Sequence, residues 1–258
     1  MLKKRLIGVV TVRQGVAVQS VGYSKYLPLG KPEFLIENLD RWGADEILIQ
    51  SIDRSTHNHG PDIQLLERIN KIGITTPLIY GGGIQTIEDG QMVIQNGADR
   101  ILIDRMLYGG RVAIEGLAKK IGAQAIIASM PMSLDKEGFS HFNYLEKTFS
   151  KITPEIMEII ESELISEVLV TDVKNEGSKG EFNAALLENF LSLKLPVIAF
   201  GGITEIEMAK KILEKKGVVA VAIGNSLAYR EHSIQKIKEG IGVESLRQAT
   251  YQQDILCI

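Results

Sequence analysis

A chain of 258 residues, 45% of them hydrophobic and 24% charged, is long enough to bury a large core and fits a single domain spanning 1–258. Its formal net charge of -3 and pI near 5.9 carry no basic footprint for nucleic acid, and its single cysteine, Cys257, leaves no disulfide framework and no thiolate metal cluster. The apolar run in the opening MLKKRLIGVVTV is broken by Arg13 and is too short for a membrane span or a signal peptide, so a soluble, cytoplasmic protein is expected.

Strand-like apolar runs begin at Arg5 (RLIGVVTV), Asp45 (DEILIQSI), Thr76 (TPLIY), Arg100 (RILID), Gln124 (QAIIASM), Glu167 (EVLVTDV), Leu195 (LPVIAF) and Val218 (VVAVAIG). Short runs without polar alternation are what a parallel strand buried on both faces requires. Between them lie segments of helical period: PEFLIENLDRWG, DIQLLERINKIG, TIEDGQMVIQNG, RVAIEGLAKKIG, TPEIMEIIESEL, FNAALLENFLSL and EIEMAKKILEKKG. Several close on the glycine expected after a helix C-terminus. Strict β-α alternation predicts an α/β fold with a parallel sheet.

The chain also repeats itself. PLIYGGGI from Pro77 returns as PVIAFGGI from Pro196, and the strand start at Arg5 returns at Gln124, a period of about 120 residues. Four β-α units occurring twice predict a (β/α)8 TIM barrel built from two duplicated half-barrels; an open doubly wound sheet would give no reason for the duplication. Residues 13–31 and 131–153 leave this register after the first strand of each half, and read as loops or short hairpins on the C-terminal face, where barrel enzymes place their chemistry.

Candidate site residues divide between the two mouths. At the strand ends, the glycine turns Gly81, Gly82, Gly83 and Gly201, Gly202, with Gly177, Gly224, Asn225 and Ser226, offer backbone N–H groups and a hydroxyl to phosphate. Asp104 with Arg105 belongs to the same set, Arg105 or Lys174 serving as counter-charge. The alternative is that the glycines only close tight turns. Proton transfer would be expected from the ends of the first strands of the two halves, which are Thr11 and the Met130–Pro131 pair, neither of them a carboxylate. Asp53, Asp104 and Asp172 remain as acid–base candidates or as structural carboxylates holding loop backbone. His57 and His59 lie in a polar turn without supporting ligands, so neither a metal nor another cofactor is expected. At the strand starts, Arg5, Glu46, Arg100 and Glu167 put two cations and two anions on one ring, as a structural cap or as a gate.

These residues carry a family resemblance. KKRLIGVVTV with Gly15, WGADEILIQSID, YGGGI with NGADRILI, GAQAII, FGGI and AIGNSLAYRE resemble, over nearly the whole chain, HisF, the cyclase subunit of imidazole glycerol phosphate synthase. The resemblance implies a (β/α)8 barrel on whose strand-start mouth a HisH-like glutaminase docks, releasing ammonia through the barrel to a phosphorylated or sugar substrate. It makes Arg5, Glu46, Arg100 (arginine for the family's lysine) and Glu167 the ammonia gate, and Asp99 a residue facing the glutaminase. Where the family has catalytic aspartates, this chain has Thr11 and Met130 or Pro131. A family lysine falls on Gln19, an aspartate-arginine pair falls on Lys174 and Asn175, and Glu176 replaces a further aspartate. This combination is similar to HisF-like paralogues of lipopolysaccharide and nonulosonic acid pathways, in which a separate ATP-dependent N-acetyl sugar amidotransferase activates the acceptor. The alternatives are the cyclase of histidine biosynthesis, a non-catalytic scaffold that activates the glutaminase, and an isomerase-type barrel acting alone.

Overall fold

The computed structural model describes residues 3–178, 180–193, 195–229, 232–242 and 246–249; Cys257 lies outside them. In the first half, β1 (Arg5–Arg13) is followed by a hairpin, β2 (Val16–Val21) and β3 (Lys25–Gly30), and then α1 (Pro32–Arg41). The half continues with β4 (Glu46–Ser51), α2 (Ile63–Asn70), β5 (Leu78–Gly81), α3 (Ile87–Gln95), β6 (Arg100–Ile103) and α4 (Arg111–Ile121). The second half opens with β7 (Ile126–Asp135), which runs on into β8 (Gly138–Asn143) and β9 (Thr148–Ser150), then α5 (Pro154–Glu161) and β10 (Glu167–Asp172). It ends with α6 (Glu188–Leu191), β11 (Val197–Phe200), α7 (Ile206–Glu214), β12 (Val218–Ile223) and α8 (Ser233–Ile241). Among the described residues, no helix is long and apolar enough to cross a membrane.

The eight parallel strands close on themselves in the order β1, β4, β5, β6, β7, β10, β11, β12 and back to β1. This is the (β/α)8 barrel expected from the repeat. The duplication is visible in three dimensions, because each half inserts antiparallel hairpin strands after its first barrel strand. The two segments that left the repeat register are therefore sheet, not irregular loop.

Period-two alternation sorts every barrel strand into two layers. Ile7, Leu48, Ile79, Leu102, Ile127, Leu169 and Ile198 point inward and fill the axis, while Leu6, Ile47, Leu78, Ile101 and Ile126 pack outward against the helices. Each such burial contributes about 1.5–3 kcal/mol against an exposed reference. Helix starts are set locally: Thr86 and Asp89 form a reciprocal capping box on α3, Asp62 caps α2 through the Leu65 N–H, and Thr153 followed by Pro154 starts α5.

Two elements differ from the sequence reading. The helix expected over FNAALLENFLSL resolves into a 3-10 turn, Ala184–Leu187, followed by the single α turn of α6. Asn183 caps that turn, and Phe182, Leu186, Leu187 and Phe190 are buried, so packing against the barrel overrides the helical period. The structure also adds α8, whose Lys238 reaches beneath the barrel to Asp45, Nζ to Oδ1 at 2.8 Å, with both side chains 3% exposed.

Candidate functional site

The starts of β1, β4, β6 and β10 bring Arg5, Glu46, Arg100 and Glu167 into one ring. Arg5 donates to Glu46 at 3.0 Å and to Glu167 at 2.7 Å; Arg100 donates to Glu167 at 2.9 Å, to Glu46 at 3.4 Å and to the Ser166 hydroxyl at 2.8 Å. The side chains are only 8–15% exposed. Burial raises Glu46 above the usual carboxylate range although Arg5 and Arg100 pull it down, with Glu167 adding to the rise. For Arg5, burial works against the charge, but Glu46 and Glu167 outweigh it and the guanidinium is held above its ordinary value. Beside the ring, exposed Asp99 accepts the Leu78 N–H at 2.8 Å, which fixes its carboxylate at this mouth.

The strand ends open on a cavity of about 710 Å³. Of the residues expected there, Asp53, Gly81, Gly82, Asp104, Arg105 and Pro131 line it. Thr11, Gly83, Asp172, Lys174, Gly177, Gly201, Gly202, Gly224, Asn225 and Ser226 do not. Thr11 borders instead a separate pocket of about 60 Å³, together with Gly224 and Asn225. Asp172 is buried, and its carboxylate accepts from Asn175 N at 3.2 Å, Asn175 Nδ2 at 2.8 Å and Asn183 N at 2.9 Å. It holds its own loop, the structural alternative weighed for it. Asp53 is on the cavity, but one of its oxygens accepts the Gln14 N–H at 2.8 Å and ties the first hairpin to β4.

Strand parity corrects the end of β7. Ile127 belongs to the inner layer, so Ser129 and Pro131 face the cavity, while Met130 is buried in the outer layer against the helices. Ser129 was absent from the sequence reading, and the alternation from Ile127 was the signal that would have found it. Its hydroxyl meets Asp104, the residue that follows β6. The Asp104 carboxyl keeps some surface toward the cavity, yet its surroundings desolvate it and raise it to about 8 against the pull of Ser129. At neutral pH it is largely protonated and can donate as well as accept a proton. Around it, burial pushes the Tyr108 and Tyr144 phenols up and holds His141 down at about 4, so that its ring is neutral where Nδ1 meets the Tyr108 hydroxyl at 2.8 Å.

A raised carboxyl has a stability signature. The folded chain binds a proton on Asp104 that the unfolded chain releases between about pH 4 and pH 8, so stability falls as pH rises through that window. Asp104→Asn is expected to match the wild type near pH 4 and to exceed it by about 2 kcal/mol at pH 9, discounted for the opening to the cavity. Urea unfolding at the two pH values reads the difference; equal offsets at both would show a solvated carboxylate.

The first hairpin is latched to the loop after β10. Its tip, Gly22 and Tyr23, lies over β10: Gly22 N–H donates to the Glu176 carbonyl at 2.9 Å, and the Glu176 carboxylate accepts from the Ser20 hydroxyl at 3.0 Å and from Tyr23 N–H at 3.2 Å. Burial raises Glu176 despite these donors. The Tyr23 phenol reaches Thr171 and Gln50, inward residues of β10 and β4. Asn225 Nδ2 donates to the Ser20 carbonyl at 2.5 Å, and a Cβ on Gly177 (φ 67) would run into that same oxygen. Gly82 (φ 126) lies on the cavity with its back against the Ser51 carbonyl, while Gly83 N–H is taken by the Ser55 hydroxyl at 3.0 Å.

The chain has relatives of known name. The family model for the histidine biosynthesis protein matches residues 5–233. The chain is 28% identical over 235 residues to the putative imidazole glycerol phosphate synthase subunit hisF2 of Vibrio vulnificus, covering 90% of this chain and 86% of that one. It is 25% identical over 240 residues to the imidazole glycerol phosphate synthase subunit HisF of Natranaerobius thermophilus, covering 92% and 95%. The HisF of Staphylococcus aureus strain Newman is 27% identical over 246 residues, covering 93% and 97%.

Proposed function

The chain belongs to the histidine biosynthesis protein family, and we propose that within it the chain is a HisF-type barrel subunit of a glutamine-dependent amidotransferase. A HisH-like glutaminase docks at the strand-start mouth, where Asp99 is exposed. Ammonia then passes the Arg5, Glu46, Arg100 and Glu167 ring and the aliphatic axis to an acceptor in the cavity. The observation that carries this reading is the buried four-charge ring at one mouth of a barrel whose other mouth holds a ligand-sized cavity. Desolvating four charges is a poor way to stabilise a core, so a gate explains them better than a plug.

The acceptor follows from the other mouth. Neither strand end at which the resemblance places a catalytic aspartate, Thr11 nor the cavity-facing Pro131, supplies a carboxylate. We therefore read the acceptor as a sugar amidated in surface-polysaccharide synthesis, with a separate ATP-dependent N-acetyl sugar amidotransferase activating it. The imidazole-forming cyclase of histidine biosynthesis is the second reading, favoured by the Asp104 carboxyl at Ser129 and by the names of the relatives.

The test is reconstitution. The chain should copurify with a co-expressed HisH-like glutaminase of its own genome and raise that enzyme's turnover by at least about tenfold, a coupling near 1.4 kcal/mol. A glutaminase indifferent to the chain sinks the amidotransferase reading. Growth of a histidine auxotroph lacking its cyclase, when supplied with this chain, would select the second reading over the first.

A further inference from the structure

Two aspartates border the cavity, and they are engaged differently. Asp53 accepts the Gln14 N–H at 2.8 Å, whereas Asp104, among the described residues, meets the Ser129 hydroxyl and pairs with no cation. Arg105 follows Asp104 in the chain but is engaged elsewhere, its Nη1 donating to the Ser55 carbonyl at 3.1 Å and to Asn58 Oδ1 at 2.6 Å. Asp104 is thus a half-buried carboxyl with one edge on the cavity.

Tyr108 faces it from the 3-10 turn Arg105–Gly109, Tyr144 from the turn after β8, and Ser129 from β7. His141 of β8 meets the Tyr108 hydroxyl, Glu146 acts on the same phenol, and Arg105 acts on Tyr144. Of the other charged groups lining the cavity, Arg13, Arg105 and Lys147 are cationic and Asp53 is anionic, a balance that opposes a cationic ligand. A carboxyl that keeps its proton in such a place offers an O–H donor and a carbonyl acceptor side by side, the complement of a carboxamide's carbonyl and N–H. An anion could take the O–H but would leave the acceptor oxygen unpaired.

We propose that Asp104, steadied by the Ser129 hydroxyl, is a specificity-determining residue that pairs with a neutral carboxamide on a sugar-sized ligand, its O–H donating to the amide carbonyl and its own carbonyl accepting the amide N–H. The size follows from the cavity volume of about 710 Å³, and the sugar from Tyr26, Phe142 and Tyr144 on its wall, flat surfaces on which a sugar ring packs. The inference deepens the amidotransferase reading by naming the group that the acceptor presents, and it rests on that reading only for the statement that this ligand is the acceptor.

Calorimetric titration of the purified full chain tests it, with N-acetylglucosamine, glucose and glucosamine as probes. At about pH 6.5 the N-acetyl sugar should bind at least about tenfold more tightly than glucose, since a site built to hydrogen-bond a group rejects the analogue that lacks it. Raising the pH to about 9.5 ionises Asp104 and should weaken the N-acetyl sugar by about tenfold or more, because only the protonated fraction binds. His141 and the Tyr108 and Tyr144 phenols stay neutral through that window. Asp104→Asn, whose amide offers a donor and an acceptor at either pH, should bind the N-acetyl sugar within about threefold of the wild type at the lower pH and keep that affinity at the higher one. Asp104→Leu, of similar volume, should lose the preference over glucose. A wild-type chain that binds the N-acetyl sugar no better than glucose, that prefers glucosamine, or whose affinity is the same at both pH values overturns the proposal. The titration uses neither glutaminase nor ammonia, so its failure leaves the coupling experiment standing, and failed coupling leaves the amide site standing.

Discussion

Replacing Arg5 with alanine is expected to destabilise the chain by about 3–5 kcal/mol, because Glu46 and Glu167 would then share one guanidinium in a setting that is nearly closed to water. Denaturant unfolding at neutral pH reads this directly. The physical origin is the asymmetry of buried ion pairs: burial already raises Glu46 despite two arginines, so the intact ring adds little to stability while its rupture strands a charge. The same asymmetry separates structure from function. Replacing all four ring residues with apolar side chains of similar volume should recover most of the lost stability, yet on the amidotransferase reading it should leave glutamine-dependent transfer uncoupled. Restored coupling in that quadruple variant would show the ring to be a structural cap.

The second large effect is expected at Lys238. Lys238→Ala removes the Nζ that bonds Asp45 Oδ1 at 2.8 Å and the Gly43 carbonyl at 2.7 Å, and leaves Asp45, among the described residues, with the Leu6 N–H at 2.8 Å. The loss should again be about 3–5 kcal/mol, lowering the melting temperature by about 10 °C in a chain of this length. Since Asp45 joins the loop before β4 to the backbone of β1, the damage should spread to the strand starts. The double variant Lys238→Met with Asp45→Asn removes both charges together and should regain much of the loss; melting curves of the single and double variants decide whether the pair acts as a unit.

Much of the barrel is legible in the residues alone, and the reason is periodicity. Runs such as EILIQS and VVAVAI with glycine after them, and a repeat near 120 residues, depend on local burial of both strand faces, which each strand signals independently of its neighbours. The ring was legible for a related reason: Arg5, Glu46, Arg100 and Glu167 hold equivalent positions at strand starts, so closure of the sheet must bring them together. Where the local pattern competes with packing, it fails. FNAALLENFLSL reads as a helix, but burying Phe182 and Phe190 against the barrel leaves room for little more than a turn of one.

The strand-end mouth was less legible, because its chemistry depends on residues that meet across long sequence separations. Asp104 read both as a phosphate partner and as an acid–base candidate; burial in the folded chain raises its carboxyl to about 8, against the pull of Ser129 on β7. Asp172 looked like its equal, but Asn175 and Asn183 claim its oxygens. The residues alone determine the duplicated barrel, its strand-start charge ring and the two glycine turns, since all of these follow from local pattern plus closure. Tertiary structure decides which turn meets the cavity and which carboxyl stays protonated, because cavity lining and desolvation are properties of contacts between distant segments, and no local pattern encodes them.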